Sequence, residues 1–277
     1  MITLIKRACN KLLAFLKSRS NYKFLIKQYT ELDDFDKFNN ILSTKRFTTH
    51  LKPLQMDSVN SNKIIVIAPH PDDDILGAGG TLLKAKSLGA EVHIIYVTNG
   101  EPLNSANIKK ETLEVCEKAK FIPHFLNFEP KKINVHDDEA IKNITSIINE
   151  INPGAIFISF FLDNHVDHRS VNYLMCNCFN SNNFNDNIEI WSYQIYSSIL
   201  PNVIIDVTDM ISKKSELIDI WKSVSKFNDL AHYILGINAS NSIYLKNSKK
   251  KLYGEAFFVL PAHEYIVLIE KYFIIEN

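Results

Sequence analysis

The sequence predicts an α/β fold with a mostly parallel sheet flanked by helices. Its strand candidates are short aliphatic runs such as Ile64–Ile67, which are typical of strands buried on both faces of a parallel sheet. These runs alternate along the chain with longer helical segments, the usual pattern of an α/β sheet. At 277 residues, 46% of them hydrophobic and 22% charged, the chain suits one large globular domain with a small appendage.

The first thirty residues are basic and differ from the remainder. Seven Lys and Arg residues precede the first acidic residue, Glu31, and apolar residues recur among them at helical spacing. The apolar stretch is too short to span a membrane and lacks the cleavage site of a signal peptide. Two interpretations stay open: residues 1–28 lie as an amphipathic helix on an anionic membrane surface, or they pack on the main domain. We therefore divide the chain into a helical extension with its connector, 1–60, and an α/β domain, 61–277.

Strands and helices are predicted in alternation from residue 63 onward. The predicted strands are Ile64–Ile67, Glu91–Val97, Phe125–Phe128, Ala155–Phe160, Ile188–Tyr196, Val203–Val207 and Phe257–Leu260. The predicted helices are Ile75–Ser87, Ile108–Lys120, a helix capped by Asp137 or Asp138 that reaches Glu150, one that follows the second His-Asp loop and reaches Cys178, Met210–Ser225, and a terminal helix. Pro69 and Pro71 end the first strand, because proline cannot continue a sheet ladder.

The charge balance and the cysteines exclude several classes of function. Lys plus Arg and Asp plus Glu are 31 each, so no net charge attracts nucleic acid or an acidic partner. The four cysteines have neither zinc-finger spacing nor the pattern of a disulfide framework. Cys176 and Cys178 lie in an apolar helical segment and are interpreted as buried free thiols. These features favour a cytoplasmic protein, peripheral at the inner membrane surface if its basic helix binds there.

Two loops collect histidine and aspartate where core strands end. The first loop supplies His70, Asp72 and Asp73. The second loop supplies His165, Asp167 and His168. In an open α/β sheet, ligands bind outside the carboxyl ends of the strands, and adjacent carboxylates are costly unless a cation or water compensates them. The two loops therefore predict a metal site.

A simpler interpretation of the same residues must be weighed against a metal. Asp72 and Asp74 could cap the following helix, since carboxylates are favoured at helix N-termini. His165 and His168 could be exposed loop residues without a ligand. The position of both loops directly after core strands favours the metal site over this alternative.

The residue types in the loops suit a catalytic zinc ion. Such an ion takes three imidazole or carboxylate ligands from the protein and leaves one position open for water. His70 and Asp73 come from one turn and His168 begins a helix elsewhere, so these three residues form a predicted ligand set.

Three side chains of the loops remain for proton transfer and charge stabilisation. Asp72 could take a proton from water whose pKa the metal lowers to about 7. His165, as an imidazolium, could donate to the oxyanion that forms on an attacked carbonyl. Asp167 is predicted to hold the tautomer and orientation of that imidazole.

The two motifs together resemble those of the PIG-L-like, or LmbE-like, zinc-dependent N-deacetylases. The family's motifs usually read Ala-His-Pro-Asp-Asp-Glu and His-Pro-Asp-His, and the corresponding stretches here are Ala68–Asp74 and His165–His168. Asp74 replaces the usual Glu, and Val166 replaces the usual Pro. Three further stretches resemble landmarks of the family: Thr98–Glu101, Ile205–Asp209 and Tyr253–Phe257. The similarity spans about residues 63–260 and leaves the first sixty residues outside it.

The resemblance implies a Rossmann-like enzyme that removes acetyl from an N-acetylglucosamine-type sugar. It implies that the zinc ligands are His70, Asp73 and His168. It makes Asp72 the general base and later the acid that protonates the amine, and it makes His165 the oxyanion stabiliser, oriented by Asp167. The expected substrate is an N-acetylated sugar or glycoconjugate, lipid-linked or nucleotide-linked among other forms.

Three alternatives remain open from the sequence. Two histidines and one carboxylate also describe non-haem iron oxygenases, although Asp72 would then have no role. An Asp-x-Asp chelate over Asp72–Asp74 would suit a metal-dependent glycosyltransferase but leaves the second loop unexplained. A sugar-binding module without turnover is the non-enzymatic alternative, and release of acetate separates it from a deacetylase.

Overall fold

The computed structural model describes residues 53–100, 104–182, 184–185, 187–223, 229–246 and 251–273. Its strands are β1 (Leu54–Met56), β2 (Lys63–Ala68), β3 (Glu91–Thr98), β4 (Ile122–Phe128), β5 (Ala155–Ser159), β6 (Glu189–Tyr193), β7 (Val203–Asp206) and β8 (Gly254–Pro261). Its α-helices are α1 (Asp73–Ser87), α2 (Ser105–Ala119), α3 (Asp138–Ile151), α4 (Val166–Asn180), α5 (Ile211–Ile218), α6 (Leu230–Asn241) and α7 (Ala262–Phe273).

The strands form one mixed sheet in the order β1-β7-β8-β6-β5-β2-β3-β4. Neighbouring strands are parallel except at β8, which runs antiparallel to both β6 and β7. Alternate residues of β2 serve opposite faces: Ile65 and Ile67 join one apolar cluster, whereas Ile64 and Val66 join the other. Helices α3, α4 and α7 cover the first face, and α1, α2, α5 and α6 cover the second. The predicted mostly parallel α/β fold is confirmed.

Strand order reverses at β2, which lies between β3 and β5. The chain passes from β2 to β3 on one side, and it later returns to place β5 on the other side, with Ile67 opposite Ile158. In open α/β sheets such a switch point opens a crevice at the carboxyl ends of the two strands. The two loops that carry histidine and aspartate therefore meet there, although they lie far apart in sequence.

Helix α1 begins at the first of these loops and is anchored by a buried ion pair. The ammonium group of Lys214 lies 2.6 Å from Oε1 of Glu255 and donates to the carbonyl oxygen of Leu76 at 2.9 Å. The carboxylate of Glu255 in turn accepts from the backbone N–H groups of Gly80 and Thr81, at 2.8 and 2.7 Å. The close approach of α1 to Val207 and Glu255 requires glycine at position 80. A Cβ on Gly80 would collide with Val207 and with the Glu255 carboxylate. Both charges of the pair are thus satisfied inside the protein.

Most predicted elements are present, with three differences. Helix α6 was not predicted, and neither was β1, which lies in the segment expected to be an irregular connector and pairs with β7. The predicted helix Met210–Ser225 is shorter, because a 3-10 turn over Thr208–Met210 precedes α5 and α5 ends at Ile218. Asp137 caps α3 as expected, since its side chain accepts from the N–H of Ala140.

Some predictions fall outside the described residues. They are the basic helix of residues 1–28, most of the extension over residues 1–60, and Cys9. Cys116, Cys176 and Cys178 are buried and free, as predicted for the latter two. Within the described ranges, every helix falls short of the length and apolar character needed to cross a membrane.

Candidate active site

The loops after β2 and β5 bring three predicted metal ligands together. His70 follows β2, Asp73 is the first residue of α1, and His168 lies in the first turn of α4. Oδ2 of Asp73 lies 3.0 Å from Nδ1 of His70 and 3.2 Å from Nε2 of His168. Donor atoms around a tetrahedral zinc ion with bonds of about 2.0–2.1 Å are themselves about 3.3 Å apart, so these separations suit a shared cation.

A third imidazole, that of His165, completes the cluster. Its ring centre lies 4.6 Å from that of His70 and 5.0 Å from that of His168. One nitrogen from each of the three rings can be chosen so that all lie within 4.8 Å of one another. The structure therefore offers His165 as a nitrogen donor to the same ion, as an alternative to its predicted contact with the oxyanion.

The charges around the cluster favour a cation. Burial alone would lower the pKa of His70, but Asp73, Asp167 and Asp72 raise it to about 10. Burial likewise opposes protonation of His168, yet Asp73 and Asp163 raise its pKa to about 9. The carboxyl of Asp73 shows the converse effect, because the two imidazoles hold its pKa well below the ordinary value despite complete burial. The buried aspartates thus favour positive charge among these groups.

Unsatisfied buried atoms point to the same conclusion. Oδ1 of Asp73 and both ring nitrogens of His168 are buried without a hydrogen bond of regular geometry. The His168 nitrogens do lie 3.2 Å from oxygens of Asp73 and Asp163, so these contacts are ion pairs rather than well-aligned hydrogen bonds. Buried polar atoms without partners are rare in proteins, and a metal ion coordinated by Asp73 and His168 would satisfy them.

Asp72 is buried beside the cluster and does not cap α1. It occupies the N-cap position, but its side chain makes no capping hydrogen bond. Burial, and then the charge of Asp73, raise its pKa to about 7, against the opposing effect of the histidines. Asp74 is also buried and accepts a hydrogen bond from the Tyr96 hydroxyl at 3.1 Å. Asp72 therefore does not cap α1 through its side chain, and its role as general base stays a prediction.

The contacts of Asp167 differ from those predicted. Its carboxylate lies 3.0 Å from Nε2 of His70, and it accepts from the backbone N–H of Lys131. The distance from this carboxylate to Nδ1 of His165 is 4.0 Å, too long for a hydrogen bond. The backbone N–H of Asp167 donates to that nitrogen instead, at 3.2 Å, because His165 caps α4. Asp167 therefore orients His70 through its side chain and His165 only through its backbone.

The surroundings of His165 disfavour the predicted imidazolium. Burial, together with the neighbouring His70 and His168, lowers the pKa of His165 to about 4. A neutral imidazole whose Nδ1 accepts from Asp167 carries its proton on Nε2. His165 can still donate one hydrogen bond, but as a neutral group. His165 is partly buried and His168 completely so, which removes the exposed-loop interpretation of His168.

Two residues near the cluster were not predicted as functional. Oδ1 of Asp163 lies 3.2 Å from Nδ1 of His168, and the ring of Tyr196 stacks on His168 with a centre-to-centre distance of 5.4 Å. A carboxylate five residues before His168 was visible in the sequence, but its contact depends on how the loop folds back. Tyr196 comes from the loop after β6, and nothing in the sequence indicated that it lies beside His168.

Comparison with known proteins finds similarity to one family over part of the chain, and to solved structures of the same fold. Residues 65–179, which contain all six predicted site residues, match the model of the PIG-L family, described as GlcNAc-PI de-N-acetylase. The chain is 24% identical over 229 residues to the diacetylchitobiose deacetylase of Thermococcus kodakarensis, a match covering 68% of this chain and 84% of that protein. It is 31% identical over 124 residues to a probable N-acetyl-alpha-D-glucosaminyl L-malate deacetylase 2 of Bacillus cereus, covering 39% of this chain and 56% of that protein.

A solved structure shares the fold. It is the N,N'-diacetylchitobiose deacetylase of Pyrococcus horikoshii, with a TM-score of 0.63, 23% identity, and coverage of 86% of this chain and 97% of that one. The predicted resemblance to PIG-L-like N-deacetylases is confirmed by the family match, and so is the prediction of a hydrolytic enzyme.

Proposed function

We infer that this chain, which belongs through residues 65–179 to the PIG-L family of hydrolytic N-deacetylases, is zinc-dependent and hydrolyses the acetamide of an N-acetylated amino sugar. The proposal rests on one observation above all. Nδ1 of His70 and Nε2 of His168 lie 3.0 and 3.2 Å from the same oxygen, Oδ2 of Asp73. Two relatives are named for deacetylation of acetylated glucosamine compounds, which supports the substrate class.

The ligand set supports zinc. His70, Asp73 and His168 offer two imidazoles and one carboxylate, a combination that catalytic zinc sites use. A zinc ion bound there would polarise the acetyl carbonyl and make water more acidic. The same three ligands would also suit ferrous iron, which metal analysis of the purified protein distinguishes.

Asp72 carries out the proton transfers of the proposed reaction, and His165 stabilises the negative charge that develops on oxygen. Asp72 accepts a proton from the attacking water as the new carbon–oxygen bond forms at the acetyl carbon. His165 donates a hydrogen bond from its Nε2–H group to the oxyanion, in the way that fixed donors stabilise such charges. Asp72 then returns the proton to the amide nitrogen as the carbon–nitrogen bond breaks. One water is consumed, and acetate and a free amine are released.

Acetate release with measured metal content tests the proposal. The purified full chain is analysed for metal and then incubated with N-acetylglucosamine linked to a lipid, to a nucleotide, to malate or to a second sugar. We expect zinc at about one ion per chain and acetate from at least one of these classes. A chain that holds zinc but releases no acetate from any of them would contradict the deacetylase assignment.

The N-terminal segment bears on which substrate is used. We propose that residues 1–60 form a basic extension of the catalytic domain over residues 61–277, joined to its sheet through β1, and that residues 1–28 contact anionic lipid at the inner face of a membrane. A lipid-linked acetamido sugar is then the favoured substrate. Flotation with anionic vesicles, comparing the full chain with a variant that lacks residues 1–30, tests this, and equal binding of the two would contradict it.

A further inference from the structure

We propose that Asp163 is a positioning residue that fixes the tautomer and ring orientation of His168 and holds the Tyr196 segment against the same ring. The inference rests on the proposed metal site, because its effect is to direct one nitrogen of His168 at the ion. It adds a residue of the second loop that the family motif, His165–His168, does not include.

The carboxylate of Asp163 faces donors on every side. Oδ1 accepts from the backbone N–H of His165 at 2.9 Å and lies 3.2 Å from Nδ1 of His168. Oδ2 accepts from the backbone N–H groups of Tyr196 and Ser197, at 3.1 and 3.2 Å. Only 1% of the residue is exposed, so water does not compete for these contacts. Asp163 therefore joins the loop after β5 to the loop after β6.

The two sides of His168 are not equivalent. Nε2 lies 3.2 Å from Asp73, which is a predicted metal ligand, whereas Nδ1 lies 3.2 Å from Asp163. A metal ion shared with Asp73 must take the lone pair of Nε2, which leaves the proton on Nδ1. An ionised carboxylate can only accept, so Asp163 favours this tautomer. Carboxylates that contact the second nitrogen of a metal-bound histidine commonly have this effect, and they also raise the basicity of the ligand.

The second oxygen of Asp163 holds Tyr196 beside the cluster. Its Oδ2 holds the backbone of Tyr196, whose ring lies nearly parallel to the imidazole of His168, at an angle of 23°. Tyr196 is 46% exposed, so one part of its ring covers the ligand and another part faces solvent. An aromatic surface beside a metal suits the apolar face of a sugar ring. Displacing Asp163 should therefore disturb both metal binding and the sugar contact.

Asparagine cannot reproduce these contacts although it has nearly the same shape. The amide has one acceptor oxygen, while the carboxylate here faces two donors on each oxygen. If the amide oxygen stays near His168, the NH₂ group opposes the N–H groups of Tyr196 and Ser197. If the amide is reversed, its NH₂ group donates to Nδ1 of His168 and moves the ring proton to Nε2, where the metal should bind. Either arrangement weakens the metal site.

The test compares zinc affinity between Asp163→Asn and the control Ser197→Ala. The control removes the hydroxyl that accepts from the N–H of Asn164 at 3.0 Å, and it keeps the backbone N–H of Ser197 that donates to Asp163. Affinities are measured by competition with a chromophoric chelator. We expect Asp163→Asn to bind zinc about 10–100-fold more weakly and Ser197→Ala to stay within about threefold of the parent. Equal affinity of Asp163→Asn and the parent, or equal losses in both variants, would overturn the proposal.

A second measurement needs no variant and guards against misfolding of Asp163→Asn. Nitrogen-15 NMR of the zinc-loaded parent reports which nitrogen of His168 carries the proton. We expect a protonated Nδ1 and a metal-bound Nε2, and the opposite assignment would refute the role of Asp163. Neither readout requires a substrate. A protein that binds zinc in this way but releases no acetate would contradict the proposed function and leave this inference standing.

Discussion

Two groups of histidines lie at different places on the same sheet, and only one has the properties of an active site. The site cluster consists of His70, His165 and His168 at the carboxyl ends of β2 and β5. The rim cluster consists of His93 on β3 and His124 on β4. In the rim cluster Nδ1 of His93 lies 3.0 Å from Nε2 of His124, and the two ring centres are 5.3 Å apart, within the 4.6–5.3 Å separations of the site cluster.

The carboxylates distinguish the two clusters. Asp73 and Asp163 are 0% and 1% exposed, whereas Glu91, which lies 2.6 Å from Nε2 of His93, has a side chain 48% exposed. An exposed charge is screened by water and salt, while a buried one is not and must be matched by a cation or a proton. Proximity of imidazoles is therefore a weak sign of function. Buried countercharge at a switch point of the sheet is a stronger one.

Removing a ligand from each cluster should give the largest contrast. We expect His168→Ala to lose bound metal and to lower deacetylation by about 10⁴-fold or more, since several kcal/mol of transition-state stabilisation disappear with the ion. Treatment of the parent with a chelator should have the same effect, and added zinc should reverse it. The matched variant His124→Ala should keep its metal and most of its activity. Similar losses in both variants would remove the distinction between the clusters.

Asp72→Asn should separate catalysis from metal binding within the site cluster. The amide keeps the shape of Asp72 but cannot accept the proton of the attacking water, so we expect kcat to fall by about 10²–10⁴-fold. Zinc content and thermal stability should remain close to those of the parent, because Asp72 is not among the predicted ligands. Turnover near the parental rate would exclude Asp72 as the general base.

The buried ion pair under α1 should affect stability more than chemistry. Lys214→Met leaves the carboxylate of Glu255 buried without its cation, and such a loss costs about 3–5 kcal/mol of unfolding free energy. The control is Lys213→Met, because Lys213 is the neighbouring lysine and is exposed. Denaturant unfolding of both variants measures the difference. If Lys214→Met were no less stable than Lys213→Met, the pair would not anchor the helix that carries Asp72 and Asp73.

The sequence predicted the core strands and the two loops because these depend on local patterns. Apolar runs mark β2 and β5, and polar residues directly after them lie at the carboxyl edge of the sheet whatever the order of the strands. Helix α6 was missed because its residues are apolar around most of its circumference, including Leu230, Ile234 and Ile237, so no single face stands out.

The partners of individual site residues required the tertiary structure. Asp167 was assigned to His165, its neighbour in sequence, but its carboxylate contacts His70, 97 positions away. That pairing depends on β2 and β5 being adjacent, which a single sequence does not reveal. The contact of Asp163 with His168 likewise depends on the turn of the loop. The sharing of one metal ion by His70, Asp73 and His168 stays a prediction, and their observed proximity supports it.

The smallest expected effect is a shift in the pKa of His124, a partly exposed histidine of the rim cluster. Burial, and then the neighbouring His93, lower the pKa of His124 below its ordinary value of 6.5, with Glu150 acting in the opposite direction. The folded protein then binds this proton less readily than the unfolded chain, so His124 contributes a small loss of stability as the pH falls through 6.5. NMR titration of the ring protons should show a pKa below 6.5, raised by His93→Ala and lowered further by Glu150→Gln. An unshifted pKa in the parent would mean that each rim imidazole is solvated independently of the other. The electrostatic surroundings of the rim and site clusters would then differ more than the structure indicates.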